Sequence, residues 1–200
     1  MKGDKNLKPI GIYIHIPFCQ KKCYYCDFVS YDGKNEFIGQ YIDCLLEEIS
    51  LYKDYISNYK VETIFLGGGT PSILGGKQLS CIIDTLVQHY NTYDRVEITM
   101  EVNPGLLNRE KLFSYYSSGV NRLSFGLQAC QNHLLKSIGR IHKYEDFVAN
   151  LKDAREVGFE NINADLIFGL PNQTIVDWQN SLKKVVELEL AHLSTYSLII

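Results

Sequence analysis

Hydrophobic positions along the chain switch between two periods. Over residues 10–16 they fall on every second position, at Ile10, Ile12, Ile14 and Ile16, which predicts a strand bounded by Pro9 and Pro17. Over residues 36–55 they recur at helical spacing, at Phe37, Tyr41, Leu45, Ile49 and Tyr52. The exchange then repeats. Strands are predicted over 62–66, 95–102, 121–126, 162–168 and 193–199. Helices are predicted over 77–90, with Leu79, Ile82, Ile83, Leu86 and Val87 on one stripe, and from an Asn108 N-cap to about 117. Two more follow, over 144–157 and 174–188, and Gly119 and Gly158 close two of the five. Six β units with five helical segments between them imply parallel strands joined by crossovers. The fold class is α/β, a partial TIM-like barrel of about six units. A closed barrel of this kind has eight strands, and a sixth strand without a following helix would leave apolar surface bare. The chain therefore reads as one domain over 1–200, truncated at its C-terminal end, with a short N-terminal extension over 1–8.

Composition narrows the setting. The chain is 46% hydrophobic and 22% charged with a net charge of -3, so no nucleic-acid footprint shows. No apolar run approaches the roughly 20 residues of a membrane span. Met1-Lys-Gly-Asp-Lys is not a secretory leader, and six cysteines with three clustered suit a reducing compartment and a metal site. A cytoplasmic location is expected. The 14 tyrosines and Trp178 form no stacking ladder for single-stranded nucleic acid.

Candidate chemistry follows the strands. Directly after the first, Cys19, Cys23 and Cys26 stand at C-x3-C-x2-C spacing. Three thiolates can hold three irons of a cubane [4Fe–4S] cluster and leave the fourth open to a small molecule, whereas most clusters take four cysteines. A zinc knuckle is the alternative. Zinc sites usually pair their ligands across a longer loop, and no second pair follows here. His15 is close in the chain, but strand geometry aims it away from the cysteine loop. The other cysteines have plainer readings: Cys44 and Cys81 as small core residues on helix stripes, and Cys130, close after Gln128, as a bland residue or one bordering the site. His89 and His192 have no evident partner.

Later strand ends carry further polar groups. Gly67-Gly68-Gly69-Thr70-Pro71-Ser72 either lets backbone approach a ligand or makes a tight turn, and it lacks the lysine of a P-loop. Glu101 can accept both hydroxyls of a ribose, or is an exposed strand-end acid. Gln128 offers a donor and an acceptor. Arg140, in Gly139-Arg-Ile-His142, can pair with a carboxylate or sit on a solvated helix end, and His142 equally suits a surface helix start. Asp165, inside an apolar strand, must face a polar interior. Period two places Tyr13 and His15 on one face, looking into the barrel.

The run Tyr13-Ile-His-Ile-Pro-Phe-Cys19 with its two following cysteines resembles the cluster loop of the radical S-adenosylmethionine (SAM) superfamily, in the branch of coproporphyrinogen III oxidases and haem chaperones. The later motifs occur in the family's order over roughly residues 9–200. The resemblance implies a [4Fe–4S] cluster on Cys19, Cys23 and Cys26, and SAM at its open iron. It also implies SAM contacts from Tyr13, Tyr25, Gly68, Gly69, Thr70, Glu101, Gln128, Arg140 and Asp165. The implied chemistry is one-electron cleavage of SAM to a 5′-deoxyadenosyl radical. The family's oxidases carry a further cysteine two places after the third, where this chain has Phe28. That departure matches the haem chaperone subgroup and implies transfer of haem to respiratory proteins. The partners expected are SAM, haem or a porphyrinogen, an electron donor and a haem acceptor. The competing expectations are oxidative decarboxylation of coproporphyrinogen III and, in another class, a zinc-stabilised interaction domain.

Overall fold

The computed structural model describes residues 7–199. Of the N-terminal extension expected over 1–8, residues 1–6 lie outside the described residues, and so does Ile200. Strand β1 (Lys8–Ile16) runs into a loop holding two two-residue strands, β2 (Phe18–Cys19) and β3 (Tyr31–Asp32). Helix α1 (Ile38–Tyr52) follows, then β4 (Tyr59–Gly68), α2 (Gly76–His89), β5 (Thr92–Val102), α3 (Arg109–Ser117) and β6 (Arg122–Gln128). The chain continues through α4 (Asn132–Ser137), α5 (Tyr144–Val157), β7 (Asn161–Phe168), α6 (Ile175–Val186) and β8 (His192–Ser197). The six long strands form one parallel sheet in the order β1-β4-β5-β6-β7-β8, a half-barrel.

The pleat divides this sheet into two chemistries. The outer face carries Ile14, Ile16, Ile64, Leu66, Ile98, Met100, Leu123, Phe125, Ile162 and Leu166, all buried in one apolar core with the helices. The inner face carries Thr99, Glu101, Ser124, Asn163 and Asp165, and the last three are joined to one another by hydrogen bonds. Asn163 Nδ2 donates to Ser124 Oγ and to Asp165 Oδ1, both at 2.8 Å, and Ser194 Oγ donates to Asn163 Oδ1 at 3.0 Å. A closed barrel of this type fills its interior with branched apolar layers. Here the interior is polar, and it is left open to a ligand.

Local signals set several boundaries. Asn108 caps α3 by accepting from the Lys111 N–H at 2.8 Å, and α5 ends at Gly158 with φ +120°. Other expectations need correction. The buried stripe of α1 is Ile38, Ile42, Leu45 and Ile49, while Phe37 and Tyr52 face outward. Val87 is exposed, outside the buried stripe of α2. Cys44 and Cys81 are exposed rather than core residues, because each lies off the buried face of its helix. Cys130 is buried against Ser181, away from the inner cavity. His89 does have a partner, Ser50 Oγ at 3.3 Å. Helix α4 is an additional helical segment, too short for a periodic signal.

Candidate metal and cofactor site

The cysteine loop is tied down at both ends and in the middle. Gly69 and Thr70 N–H groups donate to the Ile16 and Phe18 carbonyls, each at 2.8 Å, so the loop's first turn is fixed to the end of β4. A Cβ on Gly69 would stand 2.7 Å from the Phe18 oxygen, 2.9 Å from the Ile16 oxygen and 3.0 Å from Cys19 Sγ. Only glycine allows that approach. Lys22 Nζ closes the far end by donating to the Phe28 and Ser30 carbonyls at 3.1 and 3.2 Å. In the middle, the Tyr24 N–H donates to the Ile138 carbonyl at 3.1 Å. The Tyr25 ring packs on a separate apolar cluster that includes Leu134, Leu135, Ile138 and Leu170.

This anchoring presents Cys19, Cys23 and Cys26 to one cavity of about 560 Å³ at the C-terminal ends of the strands. That is within the roughly 300–1,000 Å³ of small-molecule sites. Tyr25, Gly68, Gly69, Thr70, Glu101, Gln128, Arg140 and Asp165 line the same cavity, and Phe28 stands at its wall. Tyr13 does not line it. Its ring stacks on Phe65 at a 6.0 Å centroid distance, on the same inner face beside Glu101. His15 is not aimed away from the loop: its Nε2–H donates to the Val29 carbonyl at 2.7 Å, and the Tyr13 hydroxyl donates to its Nδ1 at 3.3 Å. His142 is buried rather than at a surface helix start. Its Nε2–H donates to the Leu127 carbonyl at 3.2 Å, and burial together with the nearby Arg140 cation pushes its pKa down to about 3.

Backbone irregularity aims two of these groups. Between Phe125 and Gln128 the β6–β7 register slips, and Gln128 takes φ +70°. A bulge of this kind turns a side chain out of the strand alternation, here into the cavity. Arg140 lies after α4 and reaches back over β6. Its guanidinium donates to the Gly126 carbonyl, to Asn103 Oδ1 at 2.8 Å and to Cys23 Sγ at 3.6 Å. Neither Asn103 nor Gly126 stood out in the sequence. Period two was the available signal, because it places Asn103 on the face of Glu101 and Gly126 on the face of Ser124.

The electrostatics are uneven. Burial pushes the Glu101 carboxyl up to about 7, partly opposed by the Gly68 N–H, which donates to Oε2 at 3.1 Å, and reinforced by Asp165. Burial also raises Asp165, against hydrogen bonds from Asn163 and Ser124. Tyr25 is held neutral by burial, against the Arg140 cation. The buried Arg140 Nε has no hydrogen-bond partner among the described residues.

These donors fit an iron–sulfur cluster with an anionic ligand beside it. Soft thiolates suit iron–sulfur chemistry, two of the three sulfurs already receive hydrogen bonds, and an unmatched guanidinium N–H favours a carboxylate. Among the described residues, no group of three or more His, Cys, Asp or Glu side chains is placed to hold a single metal ion.

The radical SAM superfamily model matches residues 13–185. The chain belongs to the radical SAM superfamily. Membership implies a [4Fe–4S] cluster and SAM, and it displaces the reading as a zinc-stabilised interaction domain. The radical SAM chain is 41% identical to the heme chaperone HemW of Bacillus subtilis over 189 residues, which are 94% of this chain and 50% of that protein. It is 38% identical to the Escherichia coli HemW over 196 residues, 98% of this chain and 52% of that one. The coproporphyrinogen III oxidase HemN of Escherichia coli, a solved radical SAM enzyme, superposes with a TM-score of 0.89 at 34% identity, over 96% of this chain and 45% of that chain. The chain thus spans about half the length of the curated relatives it matches. No helix among the described residues is long and apolar enough to cross a membrane.

Proposed function

We propose that this chain is the core of a haem chaperone that binds haem and passes it to respiratory haem proteins in the cytoplasm. Cys19, Cys23 and Cys26 hold the cluster. Gly68, Gly69 and Thr70 receive the amino end of SAM, Arg140 its carboxylate, and Glu101 its ribose. Gln128 and Asp165 fix its orientation from the inner sheet face, with Tyr25 flanking it and Tyr13 standing beside Glu101 on that face. When bound, the cluster supplies the electron that cleaves SAM. The protein's own groups hold the ligand, neutralise its charge and exclude water. Arg140 brings a permanent cation, and Glu101 and Asp165 bring acceptors that are expensive to leave unpaired in a buried site. An electron donor protein and a haem acceptor are the further partners.

The observation that carries the chaperone reading is Phe28. This side chain lines the cavity wall at the position where the resembling oxidases have a further cysteine. The similarity to the two HemW chaperones supports it. The likeness to HemN favours a second reading, oxidative decarboxylation of coproporphyrinogen III. The full-length protein, reconstituted anaerobically, decides between them on supply of SAM, reductant and coproporphyrinogen III. Stable haem binding without protoporphyrinogen is expected, and catalytic turnover to protoporphyrinogen would establish the oxidase instead. Loss of the brown colour and the cluster EPR signal is expected for Ala at Cys19, Cys23 or Cys26.

A further inference from the structure

One hydrogen-bonded chain connects two of the three cluster-loop sulfurs. The Thr70 hydroxyl donates to Cys19 Sγ at 3.5 Å. Asn103 Nδ2 donates to Thr70 Oγ1 at 3.1 Å, so the hydroxyl proton is left to point at the sulfur. On its other side Asn103 Oδ1 accepts from Arg140 at 2.8 Å, and the same guanidinium donates to Cys23 Sγ at 3.6 Å. The amide of Asn103 is the centre of this chain: its Nδ2 donates to the hydroxyl that donates to Cys19 Sγ, and its Oδ1 accepts from the guanidinium that donates to Cys23 Sγ.

Asn103 is itself held firmly. Its N–H donates to Ser72 Oγ at 3.2 Å. The Ser72 carbonyl accepts from Lys111 Nζ at 2.6 Å and from the Tyr115 hydroxyl at 3.1 Å. Helix α3 therefore braces the turn after the glycine run, and that turn braces Asn103. Space around the amide is equally constrained. A Cβ on Gly126 would stand 3.0 Å from Arg140 Nη2 and 3.2 Å from Asn103 Oδ1.

We propose that Asn103 is a positioning residue that sets the reduction potential of the cluster, by holding Thr70 and Arg140 as donors to the Cys19 and Cys23 sulfurs. Hydrogen bonds and positive charge at ligand sulfurs stabilise the reduced, more negative cluster and raise its potential. Without Asn103 the Thr70 proton is free to turn away, and the guanidinium loses its lateral hold. This inference rests on the cluster assignment made above.

The test uses the reconstituted full-length protein and its Asn103→Ala, Thr70→Val and doubly substituted variants. Iron and sulfide content is measured first, then the midpoint potential by spectroelectrochemistry and EPR, without SAM. The expected result is a full cluster with a lower potential in Asn103→Ala. The reduced-to-oxidised ratio at a fixed applied potential falls about tenfold, equivalent to about 59 mV for one electron. The Asn103 and Thr70 effects should also be less than additive, because part of one acts through the other. Gly126→Ala, which presses on the Arg140–Asn103 contact, should shift the potential the same way. Intact clusters with unchanged potentials overturn the inference alone. Cluster loss in Asn103→Ala with an unshifted potential in Gly126→Ala makes Asn103 a merely structural brace and also overturns it. A wild-type protein that takes up no cluster overturns the cluster assignment and the inference together.

Discussion

Glu101 stands where burial and charge conflict. Its strand places it on the inner face, where it can meet a ligand's hydroxyls, but the same position removes it from water. Burial therefore raises its pKa to about 7. In the unfolded chain the group returns to its ordinary value near 4.5. The native state then binds the extra proton between these two values, and stability falls as pH rises through that window. Below about 4.5 the cost is absent, and above about 7 it is complete. Glu101→Gln should therefore stabilise the ligand-free protein at pH 8 by the order of 1–3 kcal/mol, and the gain should vanish near pH 4.5. Thermal unfolding of both proteins at the two pH values measures this, and an equal difference at both would remove burial as the cause. The variant should bind SAM more weakly, since its amide oxygen replaces only one of two acceptors.

At the scale of elements, the site depends on close main-chain contacts more than on any single side chain. Gly69 lets the end of β4 pass within bonding distance of the chain leaving β1, and this contact seats Cys19. In Gly69→Ala the new methyl meets two main-chain carbonyls, neither of which can rotate away. A loss of about 1–3 kcal/mol is expected, typical of overpacking, together with reduced cluster uptake. Denaturant melting and iron content check both, and wild-type values in each would show that the contact is slack. Element ends of another kind were plain from sequence. Asn108 and Gly158 act through their own neighbours, so a local pattern sufficed. The stripes of α1 and α2 were less legible, because Phe37, Tyr52 and Val87 are apolar yet lie outside the faces that meet the sheet.

At the scale of the molecule, the half-barrel sorts apolar groups outward under the helices and polar groups inward around one cavity. Gly68, Glu101, Gln128 and Asp165 bring the ends of β4, β5, β6 and β7 to the wall of that cavity. The cluster-loaded full-length protein should be stabilised by SAM by about 2.7 kcal/mol when SAM is a hundredfold above its dissociation constant. A thermal shift that grows with the logarithm of SAM concentration is expected. Absence of any shift, with binding shown independently, would mean that SAM meets the unfolded and folded chains equally and that the cavity is not its site.

Sequence by itself determined the alternation of strand and helix, the parallel α/β class and the cysteine spacing. It also marked the strand-end residues from Gly68 to Asp165. Each of these is set by interactions among near neighbours or by the period of the backbone, which a linear pattern records. Only the tertiary structure decided what those residues meet. The buried state of His142, the outward position of Cys44 and Cys81 and the turn of His15 toward Val29 follow from packing between distant segments. The role of Asn103 is the clearest case. In the chain it is one residue of an Asn-Pro-Gly turn, and its importance arises because folding brings Thr70, 33 positions before it, and Arg140, 37 after it, to the same amide.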